Sequence, residues 1–167
     1  MSHKFRRYSL KPKEAKADLS MVSERLGMSL EAVIDPKANV EVAEMDFGQV
    51  LLINGEPLFF KFEGNVLPTL FFADLLAKLP KIVVDMGAIP HVCNGADVMA
   101  PGIVRVEGEF RKGDLVLVVD QKHGKSLALA EIMYNSGEFS GIKKGIAAKN
   151  LHYVGDRYWN SAKLMVE

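Results

Sequence analysis

The 167-residue sequence has a single cysteine, Cys93, no internal repeat, no low-complexity tract, and no apolar run close to the ~18–20 residues that span a bilayer. One cysteine excludes an intramolecular disulfide framework and any multi-cysteine zinc site, and it suits a reducing compartment. Net charge is lacking too, because 21 basic residues balance 21 acidic ones. A disordered chain would carry more net charge and fewer apolar residues than the 49% present here. The opening residues, Met1-Ser2-His3-Lys4-Phe5-Arg6-Arg7, are basic but have neither the apolar stretch nor the cleavage site of a secretory signal. A cytoplasmic protein with no membrane partner is expected, of a length for one domain or two small ones.

The balance hides a polarity. Residues 1–16 hold Lys4, Arg6, Arg7, Lys11, Lys13 and Lys16 against Glu14 alone. Residues 31–46 reverse this, with Glu31, Asp35, Glu41, Glu44 and Asp46 against Lys37. The simplest reading of the basic end is the solvated start of a helix with a frayed tail.

Hydrophobic periodicity divides the chain into two segments. In the first, Pro12 suits a first helical turn and Gly27 a left-handed cap. Between them Ala15, Leu19, Val22 and Leu26 form one apolar stripe at helical spacing. Val40 to Met45 alternates as a half-buried strand does. Gly48–Ile53 and Pro57–Phe62 flank Asn54-Gly55, a dipeptide that accepts positive φ and so predicts a hairpin. Thr69 is placed to cap a buried helix over Leu70 to Lys78, and Pro80 closes the segment. A small α/β sandwich over residues 1–79 follows.

The second segment, residues 80–160, is strand-rich, and residues 161–167 are left as a tail. Strands are expected at Lys81–Asp85, Gly102–Val106, Asp114–Val119, Leu127–Ile132 and Lys149–Val154. Met86 to Asn94 admits at most a short helix, since Pro90 fits only near its start. Short strands separated by glycine-rich turns argue for a small barrel, giving an α+β protein overall.

Catalytic patterns fail one after another. Asp46-Phe47-Gly48 spells a kinase triplet in a chain too short for a kinase and without its catalytic loop. Gly124-Lys125-Ser126 ends like a phosphate-binding loop, yet Val119 stands where the earlier glycine is required, so a hairpin turn over Lys122-His123-Gly124-Lys125 is the better account. Cys93 lies two residues after His91, but no orienting residue or oxyanion donor accompanies them, which leaves a partly buried thiol. His3, His91, His123 and His152 lack metal-ligand spacing. Glu107 and Glu109 flank Gly108 on a turn and are expected in solvent. No cofactor, metal or enzyme activity is expected; a binding surface is.

That surface is legible in the run Val84 to Ile103, where Gly87, Gly95 and Gly102 recur at eight- and seven-residue intervals and let backbone approach a ligand closely. Asp85-x-Gly87-Ala88 and Asn94-Gly95-Ala96-Asp97-Val98-Met99-Ala100-Pro101-Gly102-Ile103 resemble the signature of the PUA domain, an RNA-binding pseudo-barrel. Lys112-Gly113-Asp114-Leu115-Val116, the strand from Ala128 to Glu131, and Gly145-Ile146-Ala147 follow in the matching order. The ending His152-Tyr153-Val154-Gly155-Asp156-Arg157-Tyr158-Trp159 resembles that of a two-domain family in which a pre-PUA domain precedes a PUA domain. The first half adds Gly48-Gln49-Val50-Leu51 and Leu67-Pro68-Thr69-Leu70. This family includes the malignant-T-cell-amplified-sequence proteins, the matching half of ligatin and archaeal stand-alone relatives.

The resemblance implies a non-catalytic translation factor that contacts structured RNA, either tRNA or rRNA, and the small ribosomal subunit. It also admits a protein partner that supplies an initiation-factor-like domain, which this chain does not contain. Some eukaryotic members bind zinc through cysteines of the first domain; this sequence has none there, so no metal is transferred. The PUA contact surface, carried over residue by residue, nominates His91, Asn94, Ala96, Met99, Pro101 and Gly102. RNA binding also needs cations for phosphates. Lys143 and Lys144, in a glycine-bounded loop, meet that need, and Lys149 and Arg157 extend the track. Asp85 and Asp97 are expected to fix turns through backbone hydrogen bonds, and Trp159 to pack under the barrel. Two other readings stand beside this one: an accessory protein presenting RNA to a modification enzyme, and an adaptor whose acidic residues 31–46 dock a basic partner.

Overall fold

A computed structural model describes residues 5–166, so His3 and Lys4 of the basic start lie outside the described residues. The chain forms two compact units, one of residues up to Leu75 together with the segment from Asn160, the other Leu76–Trp159.

The first unit is a five-stranded antiparallel sheet with one long helix. The strands β1 (Arg6–Ser9), β2 (Val40–Met45), β3 (Gly48–Ile53), β4 (Glu56–Phe62) and β5 (Asn65–Pro68) pair in sequence order. Helix α1 (Pro12–Leu26) has the limits its composition predicts. Pro12 opens it, and Gly27 closes it in the left-handed region at φ 64°. Its inner face buries Ala15 and Val22 among Val42, Leu51, Phe59 and Phe72. Phe59 and Phe72 meet edge to face at 5.4 Å. Asn54 and Gly55 both take positive φ, 51° and 84°, and turn β3 into β4 as expected.

Two expectations for this unit are corrected. The basic start is strand rather than frayed helix: β1 pairs with β2 so that Arg6 faces Glu44 and Ser9 faces Glu41. The basic and acidic runs of the sequence are thus partners, and the Arg7 guanidinium donates twice to the Glu41 carboxylate at 3.0 Å. That hydrogen bond holds the Glu41 carboxyl below its ordinary range. The pair is largely exposed, so it fixes register more than it stabilises. The second correction is that helix α2 covers only Ala73–Leu76. Thr69 donates its hydroxyl to the carbonyl of Pro57 at 2.7 Å and accepts from Phe71 N–H, which spends residues 69–72 on a turn instead of a helical one.

The second unit is a six-stranded sheet whose order is not that of the sequence. Its strands are β6 (Lys81–Val84), β7 (Val98–Met99), β8 (Ile103–Glu107), β9 (Leu115–Asp120), β10 (Ser126–Ile132) and β11 (Ile146–Tyr153). They lie in the order β7-β11-β10-β9-β6-β8. All pairs are antiparallel except β6 with β9. Strand β9 lies between two neighbours and is buried at every residue, which explains its unbroken apolar run. The core gathers Ile82, Val84, Val116, Val118, Ala128, Ala130 and Ile132 from the central strands. Helix α3 is the short turn Ile89–Val92, with Pro90 in its first turn as its geometry demands. Residues 161–166, read as a tail, continue helix α4 (Arg157–Val166). No helix of the described residues is long and apolar enough to cross a membrane.

Candidate nucleic-acid interface

The topology of the second unit converts distant segments into neighbours. Strands β6 and β9 run parallel with Val84 opposite Asp120, so the chain leaves both at the same end of the sheet. After β6 comes the glycine-rich run. Asp85 accepts the Ala88 N–H at 2.9 Å and so starts the 3-10 turn Met86–Ala88, as expected for a turn-fixing aspartate. Asp85 N–H in turn donates to the carbonyl of Gly102 at 2.9 Å. Two residues back along the chain, Ala100 N–H donates to the carbonyl of Gly145, also at 2.9 Å. Met99 pairs with Ile146 across β7 and β11.

Five of the nominated residues are therefore brought together. Met99, Pro101 and Gly102 lie on one side of these backbone bonds, and Lys143 and Lys144 directly precede Gly145 on the other. Both lysines are exposed. Met99 and Ile146 are 48% and 45% exposed, so an apolar patch with backbone on show sits beside two free-standing cations. Apolar and backbone groups beside cations are the combination of chemistries that RNA contact requires.

Four more nominated residues gather around Asn150, a residue the sequence reading passed over. The Asn150 amide donates to the carbonyls of Val92 and Ala96, both at 3.0 Å. Its own N–H is accepted by Asp97 at 2.9 Å. Asp97 thus ties the helical turn to β11, 53 residues away, rather than fixing a local turn as expected. His91, Asn94 and Ala96 are exposed on the segment held this way, and Lys149 is exposed on the strand beside Asn150. The Asn150 side-chain oxygen is buried without a hydrogen-bond partner. Within this segment Gly95 sits at φ 92°, and a Cβ there would meet the Tyr153 hydroxyl oxygen at 3.1 Å. Cys93 is half-buried and burial raises its thiol pKa, consistent with packing and not with nucleophilic chemistry.

Arg157 is exposed at the first residue of α4, apart in sequence from the other nominated residues. Trp159 is half-buried on the same helix. The preceding Asp156 accepts from Trp159 N–H at 2.8 Å, from Tyr153 N–H at 3.0 Å, and faces His152 Nδ1 at 2.8 Å. Burial pushes the Asp156 carboxyl up, but the hydrogen bond from His152 and the two backbone donors outweigh it and leave it below its ordinary value. His152 is fully buried, so its place in the ending motif is structural. Sequence signals for both anchors existed: a lone amide in a strand, and an aspartate three residues before an N–H that only a helix start leaves open.

The chain thus carries an α/β unit followed in sequence by a strand-rich unit whose loops bring the glycine-rich run and the lysine pair together. Residues 80–154 match the PUA domain, and residues 6–74 match a domain of unknown function designated DUF1947. An uncharacterized protein of Methanocaldococcus jannaschii is 41% identical over 152 residues, covering 87% of this chain and 93% of that one. Translation machinery-associated protein 20 of Saccharomyces cerevisiae is 28% identical over 139 residues, covering 78% of this chain and 77% of its own. Malignant T-cell-amplified sequence 1-B of Xenopus laevis is 32% identical over 120 residues, covering 67% and 65%. Among solved structures, a hypothetical protein of the archaeon Pyrococcus horikoshii superposes with a TM-score of 0.78 at 30% identity, covering 94% of this chain and 99% of that one. The chain belongs to the family that joins this pre-PUA-like domain to a PUA domain, with an archaeal stand-alone member and translation-machinery proteins among its relatives.

Proposed function

We propose that this protein is a non-catalytic RNA-binding translation factor whose PUA unit takes structured RNA, tRNA or rRNA, in the setting of the small ribosomal subunit. The observation that carries the reading is the junction at Ala100 and Gly145, where a glycine-rich backbone, an exposed apolar pair and two lysines converge from segments some 45 residues apart. The relatives' printed names supply the translation setting. The adaptor reading loses part of its basis, since Glu41 is paired with Arg7 and Glu44 accepts from the Gln49 amide within the sheet.

The test is fluorescence anisotropy of tRNA, small-subunit rRNA and poly-uridine across a salt series, with co-sedimentation on small subunits. Lys143→Glu with Lys144→Glu is expected to weaken binding and flatten the log–log salt slope by about 1.4 to 1.8, the loss of two phosphate contacts. An unchanged slope removes these lysines from the site. Absence of ribosome co-sedimentation together with co-purification of a modification enzyme transfers the protein to the RNA-presenting class.

A further inference from the structure

The turn between β9 and β10 carries Lys122, His123 and Lys125, all exposed, around Gly124 at φ 65°. Read alone it is a hairpin tip that solvates itself. Three features of the structure make it more than that. The first is rigidity. The Asp120 carboxylate, in a residue only 3% exposed, accepts the N–H groups of Lys122, His123 and Lys125. Chiefly the His123 N–H, working against burial, holds that carboxyl below its ordinary range. The acid is turned inward onto backbone donors, and the Lys122 and Lys125 side chains at the tip are exposed cations.

The second feature is position. Gln121 N–H donates to the carbonyl of Val84 at 3.0 Å, the residue before Asp85 and the glycine-rich run. On the other flank of β6, Ile103 pairs with Val84, and Gly102 accepts from Asp85. Pro101–Gly102 and Gln121–Lys122 therefore lie on either side of Asp85, two strand spacings apart, or about 10 Å. The third is range. That separation spans only about three backbone charges at about 3.4 Å each along one strand, so a polyanion lying on the glycine-rich run also reaches the tip.

Resting on the RNA-binding reading above, we infer that the Lys122–Lys125 turn is a second phosphate-binding element, which flanks the glycine-rich run opposite Lys143 and Lys144 and clamps the RNA backbone from the other side. The binding surface is then an arc of four segments, Lys143–Gly145, Met99–Gly102, Asp85–Gly87 and Gln121–Lys125. They are linked in that order by the Ala100–Gly145 and Asp85–Gly102 backbone bonds, by the chain from Met99 to Gly102, and by Gln121 N–H on Val84. Cations stand at both ends of the arc and apolar or backbone groups between.

Lys122→Gln with Lys125→Gln tests this without disturbing the turn, because Asp120 is held by main-chain donors that the substitutions keep. Anisotropy with tRNA and with small-subunit rRNA should show a log–log salt slope lower by about 1.4 to 1.8. Between 50 and 200 mM salt that shrinks the affinity gap between wild type and variant by about 7- to 12-fold. Lys122→Arg with Lys125→Arg should restore the wild-type slope, and melting curves of all three proteins should coincide. A variant slope equal to wild type, while Lys143→Glu with Lys144→Glu still lowers it, overturns the clamp and leaves the RNA-binding reading standing. An equal loss from Lys16→Gln with Lys37→Gln in the other unit reduces the effect to net charge and also overturns the clamp. Wild-type protein that binds none of these RNAs at low salt overturns both.

Discussion

In the first unit each strand pairs with the next in sequence, β1 through β5, and the longest excursion is the helix between β1 and β2. In the second unit β7 pairs with β11, β6 runs parallel to β9, and β6 also pairs with β8. Both units bury a continuous apolar core. Only the non-local one gathers loops. A meander returns each turn to a neighbour it already had, whereas a parallel pair forces the chain across the sheet and lays unrelated turns side by side. The nominated residues lie in the second unit because the PUA resemblance places them there, and its topology is what brings them close together. In the second unit long-range polar ties such as those of Asn150 hold loops in place, whereas in the first the ties from Arg7 to Glu41 and from Lys61 to Asp18 link elements of the sheet and its helix.

The largest effect is expected where one tie serves two elements. Asp156 holds buried His152 on β11 and accepts at the start of α4, so Asp156→Ala removes a helix cap worth about 1 kcal/mol and leaves a buried imidazole short of a partner at about 1–3 kcal/mol. A loss of about 3 kcal/mol in urea unfolding is expected, and a loss under 1 kcal/mol would show that the junction is not a shared tie. The same group sets an acid limb. Its folded pKa lies below the unfolded value, so its stabilisation is complete above about pH 4 and disappears as pH falls through the depressed folded pKa. Asp156→Asn should flatten that limb of the stability–pH curve; a limb that stays equally steep assigns it to other carboxylates.

How far the sequence foretold this division can be read from particular residues. Helix α1, the Asn54-Gly55 hairpin and five of the six strands of the second unit were legible because each is decided within a dozen residues, by a proline, a glycine or an alternation, whereas the two-residue β7 exists only through its pairing with β11. Strand β1 was not, since its four residues are exposed and become strand only by pairing with acidic β2 more than thirty residues on. Helix α2 was overcalled because the demand of the Pro57 carbonyl on the Thr69 hydroxyl is invisible to local pattern. Within the site, Lys143 was recognisable as a loop cation and Met99 only through the PUA resemblance, but their juxtaposition is a property of the β7–β11 pairing. Asn150 was missed for the same reason: its partners Val92, Ala96 and Asp97 are more than fifty residues away.

A middle-sized effect should come from that residue. Asn150→Asp keeps shape and removes the two donors, turning a carboxylate toward the carbonyls of Val92 and Ala96. A destabilisation of about 2–3 kcal/mol is expected, the range for a buried polar group set against the wrong partner. Faster amide exchange should be confined to residues 89–97, with the first unit unaffected. Exchange rising evenly through the whole chain would mean that Asn150 supports the core and not the loop.

The smallest effect separates conformational cost from crowding, one glycine in each unit. Gly27 and Gly95 both have positive φ, 64° and 92°, yet a Cβ at Gly27 would meet nothing within 4 Å while one at Gly95 would strike the Tyr153 ring. Gly27→Ala therefore isolates the backbone term, about 1 kcal/mol. Gly95→Ala adds displacement of an aromatic ring that packs against the core of the second unit, and should exceed Gly27→Ala by about 1 kcal/mol or more in paired unfolding curves. It should also move the segment between Asn94 and Ala96 that is proposed to contact RNA, lowering RNA affinity where Gly27→Ala leaves it untouched. Equal costs for the two substitutions would mean that the Tyr153 side chain yields freely, and that the segment over it is held by Asn150 alone.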